Sequence, residues 1–263
     1  MIERTREFDV IIRSIRLVLI VLLSLIGPAT VSASVPAAAE ILDRCDTAEG
    51  YESAYIEMDQ IITTSGGGER TLVIRSWAVD NGRKQLAEYL APADIRGQKI
   101  LMTEDGDNIW MFNPETRRTR KLGSHMRKKK VMGSDFTYED QAGGKISTKY
   151  TGTILNEEEE GDAMCYVLDL VPTPEGPSYK KVVAWIGKSD FLTRRIDFYR
   201  EEDDEPYKRL ICTDIHQAGG RVVAHRFTMT NLEDGTRTVN VIKDIRFKVK
   251  LTDSIFEARN LDK

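Results

Sequence analysis

The sequence predicts a mainly β protein built on one long antiparallel meander. Two observations carry that reading. Strand-like runs recur at short, regular intervals from Tyr55 to Leu251, and ordinary turn chemistry separates them. Helical spacing recurs in one place only, before the first run, and the strand pattern breaks once, between Pro114 and Gly144.

In chain order, Ala38, Ile41, Leu42 and Cys45 fall at helical spacing, which predicts a short amphipathic helix. Runs at Tyr55–Thr63 and Glu69–Val79 flank Gly66-Gly67-Gly68, which reads as a hairpin loop. Lys84–Leu90 and Gln98–Thr103 follow, and Asp105-Gly106 turns the chain back into Asn108–Phe112. After the break, strands are expected at Ser147–Leu155, Met164–Val171, Lys180–Ile186, Leu192–Tyr199, Tyr207–Ile215, Arg221–Asn231 and Thr236–Leu251. The acidic runs Glu157–Glu160 and Glu201–Glu205 are expected in loops as solvated charge. A meander this long must curl, and its apolar inner face needs a cover. Periodicity leaves two outcomes open: a half-closed barrel with a ligand cavity, or a sheet closed on a packed core.

The chain has 263 residues, 41% hydrophobic and 30% charged, with a formal net charge of −4. That length supports a real core, and the mildly acidic total argues against general nucleic-acid binding. Arg13 and Arg16 precede an apolar run from Leu17 to Ile26, then Gly27-Pro28 and small residues up to Ala33. This pattern predicts a secretory signal peptide over residues 1–33, cleaved after Ala33 or a few residues later. Its core is far shorter than the ~20 residues a bilayer span needs. The mature domain is then residues 34–263, located outside the cytoplasm. Three cysteines, Cys45, Cys165 and Cys212, are too few for a disulfide scaffold and read as small buried hydrophobes.

Motifs for nucleophilic, zinc-protease, phosphate-binding or dinucleotide chemistry are missing from the sequence. No cofactor or metal is expected. In the hairpin turning at Gly219-Gly220, His216 is expected to face Val222 and His225 to face Thr213, so the two would not meet.

The break at 114–144 is the most informative stretch. Eight cations, Arg117, Arg118, Arg120, Lys121, Arg127, Lys128, Lys129 and Lys130, stand there without an acid among them. Met132, Phe136 and Tyr138 follow, with Ser134 or Asp135 placed to cap a short helix. Cations beside an apolar segment suit an anionic amphipathic partner; the bland alternative is a solvated basic loop.

Two stretches resemble a known family. Leu101 to Pro114, a strand, an Asp-Gly turn and a Trp-x-aromatic-Asn-Pro return, is similar to the hairpin of LolA-type periplasmic lipoprotein carriers. Met132-Gly133-Ser134-Asp135-Phe136-Thr137-Tyr138-Glu139-Asp140 resembles the hallmark of the LolA-like subgroup of outer-membrane lipoprotein-sorting proteins. The resemblance extends from Ile41 to Asp262. It implies an unclosed β-barrel with a helical lid over a cavity for acyl chains, and a non-enzymatic carrier role. The implied partners are lipid or lipoprotein acyl chains and an inner-membrane transporter as donor, with the carrier a monomer. A lipid-responsive sensor that binds an anti-sigma-type partner is the alternative. Cavity lining is expected from Trp77, Tyr89, Leu101, Trp110, Phe112, Trp185, Phe198, Phe227 and Phe247. Met132, Phe136 and Tyr138 are expected in the lid, and the eight cations at a headgroup or partner.

Overall fold

In the computed structural model, which describes residues 36–200 and 203–263, thirteen antiparallel strands form one sheet in the order β6-β5-β4-β3-β2-β1-β13-β12-β11-β10-β9-β8-β7. The strands are β1 (Ser53–Thr63), β2 (Glu69–Val79), β3 (Lys84–Ala91), β4 (Lys99–Thr103), β5 (Asn108–Asn113), β6 (Arg118–Lys121), β7 (Tyr150–Glu160), β8 (Ala163–Pro172), β9 (Lys181–Gly187), β10 (Thr193–Tyr199), β11 (Lys208–Ala218), β12 (Arg221–Asn231) and β13 (Thr236–Phe247). The last strand pairs with the first, so the chain makes two meanders that meet at β1–β13. β6 and β7 are left as free edges, and the sheet does not close. The expected signal peptide at residues 1–33 lies outside the described residues.

Alternation along each strand defines an inner and an outer face. Helix α1 (Ala38–Glu49) lies on the inner face and buries Ala38, Ile41, Leu42 and Cys45 against Leu168, Leu170, Ala184 and Ile186. A second inner cluster gathers Leu72, Ile74, Tyr89, Ile100, Met102 and Ile109 under Val131 and Tyr138. On the outer face, Leu86, Leu101 and Phe112 are covered by the C-terminal segment through Phe256 and Leu261.

Several expectations shift by a local physical cause. The chain does not enter a strand at Ser147 but makes a one-turn helix, α3 (Ile146–Lys149), whose first N–H groups donate to the Asp46 carboxylate at 2.7 and 3.0 Å. Glu157–Glu160 lie not in a loop but at the end of β7, an edge strand exposed on nearly every residue, so no apolar alternation marks it. There Glu158 accepts from Trp185 Nε1, and Glu160 pairs with Arg195 at 3.2 Å. β6 likewise runs inside the polar break, because four exposed side chains on an edge carry no period. All three cysteines are buried and unbridged, as expected.

Candidate functional site

The residues from Val131 to Asp140 fasten the insertion across the inner face. The cap is neither Ser134 nor Asp135. Thr137 accepts from Asp140 N at 3.2 Å while its own N–H donates to Asp140 Oδ2 at 2.7 Å, a capping box that starts helix α2 (Tyr138–Gln141). Asp135 is committed elsewhere, accepting from the hydroxyls of Thr236 and Thr238 on β13 at 2.6 and 2.9 Å. Asp140 in turn receives Lys208 Nζ at 2.6 Å and the Tyr179 hydroxyl. Burial first, then the Asp140 and Tyr207 charges, hold the Tyr179 phenol well above its ordinary range, so it stays a donor.

Phe136 packs into the cluster under α1 and Tyr138 into the other inner cluster. The insertion therefore spans the two halves of the sheet. Its far end docks through glycine: Gly143 approaches Gly82 so closely that a Cβ would sit 2.2 Å from the Gly82 carbonyl carbon, and Gly144 N donates to Asn81 O at 2.9 Å.

Between the two inner clusters the sheet is loosely joined. β12 and β13 pair only from Arg226↔Val241 to Asn231↔Thr236. Beyond that ladder β13 continues on β1 as far as Phe247, and β12 continues on β11 to Arg221. The inner-face residues along this seam are Ile56 and Met58 of β1, Phe227 of β12, and Ile242, Ile245 and Phe247 of β13. All six are apolar and only half-buried. Gln60 sits in the same row, fully buried, donating to Asn240 at 2.9 Å while its Oε1 has no partner among the described residues.

The structure divides the expected lining residues. Phe227 and Phe247 lie on this strip. Tyr89 and Phe198 are inner-face but buried in the flanking clusters. Trp77, Leu101, Trp110 and Phe112 lie on the outer face against the C-terminal segment, and Trp185 is on the outer face with Cys165 and Val167. Strand parity separates them: Leu101 points away from Ile100 and Met102, and Trp110 away from Ile109. Met132, Phe136 and Tyr138 do gather over the inner face. Ile56, Met58, Ile242 and Ile245 were missed: Ile56 and Met58 alternate within β1, but Ile242 and Ile245 stand three apart and share a face only through the register shift opposite Glu57 and Met58, which period two does not reveal.

Of the cations, Arg127 pairs with Asp107 and Lys130 with Asp135 and Asp234. Arg117, Arg118, Arg120, Lys121, Lys128 and Lys129 have no acidic partner among the described residues and stand exposed. A cleft of about 400 Å³ opens beside them, walled by Lys128, Glu139, Tyr179 and Tyr207.

The histidines also depart from expectation. The two-residue turn at Gly219-Gly220 pairs Ala218 with Arg221, one position from the register expected, so His216 faces Val223 and His225 stands opposite Asp214, which has φ +56°. His216 and His225 then share the inner face as diagonal neighbours and stack, with centroids 3.6 Å apart and planes 9° from parallel.

Comparison with known proteins agrees with this architecture. A family model described only as that of an uncharacterized protein matches residues 81–263. The chain is 25% identical to an outer membrane lipoprotein-sorting protein domain from Vibrio parahaemolyticus, with a TM-score of 0.78 over 86% of this chain and 98% of that one. A DUF1329 family protein from Desulfovibrio piger is 24% identical, TM-score 0.77, over 85% and 97%. A LolA superfamily protein from Nitrosomonas europaea is 22% identical, TM-score 0.71, over 85% and 98%. No curated protein matches the sequence.

Proposed function

This chain belongs to the LolA-like family of outer-membrane lipoprotein-sorting proteins, and from that premise we propose that it carries acyl chains through the periplasm. The observation that carries the reading is the seam strip. Six half-buried apolar side chains in a row, on the inner face of an unclosed sheet, can take up a chain without unfolding anything. Each methylene moved from water onto such a surface contributes ~0.8 kcal/mol, so a long chain gains enough to be held away from the bilayer.

Transfer towards the outer membrane, with an inner-membrane transporter as donor, is the role we assign to it. The unpaired cations of β6 and of Lys128 and Lys129 are the surface we assign to the donor or to anionic headgroups, attracted at ~1 kcal/mol per cation near such a membrane. The fold is one of carriers and binding proteins, which supports a binding role over a catalytic one.

Native mass spectrometry with lipid extraction, on protein purified from its own periplasm without detergent, tests this. A lipid or acylated peptide at near-stoichiometric ratio, lost in Phe227→Asp, is the expected result. Protein that is empty as isolated and takes up no acyl probe refutes transport.

A further inference from the structure

We propose that the stacked His216–His225 pair is a headgroup subsite that takes the acid group of an amphiphile whose chain lies on the adjoining seam strip. This rests on the carrier reading and adds to it the chemistry of the cargo's head.

Hydrogen bonding fixes how the rings present themselves. His225 Nδ1 lies 3.1 Å from Val223 O and 3.3 Å from Asp214 O. Carbonyl oxygens only accept, so this nitrogen carries the proton. His216 Nδ1 lies 3.2 Å from Asp214 Oδ1. Both Nδ1 edges thus lie against Asp214. Both Nε2 atoms are left without a partner among the described residues.

Two parallel imidazoles with free Nε2 atoms form a fork for the paired oxygens of a carboxyl or phosphate group. The acid group supplies one proton to one Nε2, giving an imidazolium N–H that donates to the resulting anion. The Asp214 carboxylate beside His216 Nδ1 sits where a carboxylate orients a working histidine elsewhere.

Position agrees with chemistry. His225 is two residues from Phe227 on the same strand and face, so a head at the rings leaves the chain running onto the strip. A shared metal ion fits less well, because Nε2 lone pairs of parallel rings do not converge, and no group of three metal-binding side chains is assembled among the described residues.

The test is calorimetric titration of the full chain with palmitate, palmitoyl lysophosphatidic acid and hexadecanol, which share a chain and differ in the head. An acid is expected to bind roughly tenfold or more tighter than hexadecanol, as a charge-assisted hydrogen bond supplies. His216→Gln and His225→Gln should each erase that preference and leave hexadecanol binding unchanged. The stronger of the two acids tells carboxylate from phosphate. In the unsubstituted protein, nitrogen NMR of the histidines should show palmitate moving the Nε2 signals of His216 and His225 and not those of His125. That reading holds even where a variant fails to fold. Equal binding of acids and alcohol, or unmoved signals, would overturn the subsite and leave the carrier reading standing. Binding of none of the three probes would overturn both.

Discussion

Lys208 Nζ lies 2.6 Å from Asp140 Oδ2, with both side chains 3% exposed, and this pair ties the insertion to the start of β11. The ammonium is further surrounded by Tyr179, Phe198 and Tyr207, with ring centroids 5.0, 4.7 and 5.8 Å away. Taking two charges out of water is costly, so the pair holds only because hydrogen bonds and rings complete it. The contact holds Asp140, and with it the start of α2, against β11.

Removing one partner should therefore harm the fold more than removing both. Lys208→Met or Asp140→Leu alone leaves an uncompensated buried charge, a loss of about 3–5 kcal/mol. The double substitution should recover a large part of that loss. Denaturant unfolding of the two single variants and the double measures the coupling, and additive losses would show that the pair does not act as a unit.

The two faces of the sheet should respond differently to the same substitution. Met58→Asp or Ile242→Asp places a charge on the half-buried strip, abolishing uptake of an acyl probe while the protein stays folded. Leu101→Asp puts it at a fully buried outer-face position under Phe256 and Leu261. That variant should lose several kcal/mol of stability, as an unpaired buried charge does. Thermal unfolding and probe fluorescence separate the two effects.

Acid should loosen the β10–β11 pairing. Burial pushes the Asp197 carboxyl up, but hydrogen bonds from Arg209 and Arg195 outweigh it and hold the group below its ordinary 3.8. A depressed carboxyl adds stability that is fully present above that ordinary value and disappears as pH falls through the lowered one. Stability should be flat in this respect above pH 4 and fall below it, and Asp197→Asn should flatten the fall. Unfolding free energy measured across acid pH checks both.

The cysteines should be inert in the folded protein. Burial drives the thiols of Cys45 and Cys212 far above their ordinary range, leaving almost no thiolate at neutral pH. A thiol reagent should label Cys45, Cys165 and Cys212 only after denaturant is added. Rapid labelling of the native protein would show that the sheet opens there.

Legibility in the sequence followed the physics of each feature. Strands with buried faces announced themselves by apolar runs, as in β8 and β9, or by alternation, as in β13, and Asp105-Gly106 announced its hairpin. Edge strands did not: β6 and the end of β7 are charged on both faces, so Arg118–Lys121 and Glu157–Glu160 looked like loop. The Thr137-x-x-Asp140 spacing was a visible capping box that the nearer Ser134 and Asp135 obscured. The site was the least legible part. Aromatic residues draw attention, yet Trp77, Trp110 and Phe112 pack on the outer face, while the open strip is mostly Ile and Met. The stacked histidines depend on the register that the Gly219-Gly220 turn sets, and a single-residue difference in register leaves no mark in composition.

The most direct test of the account is photo-crosslinking with a palmitate that carries a diazirine along its chain, followed by peptide mapping. The account predicts label on the strands holding Ile56, Met58, Phe227 and Ile242, competed away by unlabelled palmitate. Label concentrated on the outer face around Trp110 and Phe112, or none that competes, would contradict a chain held in the seam.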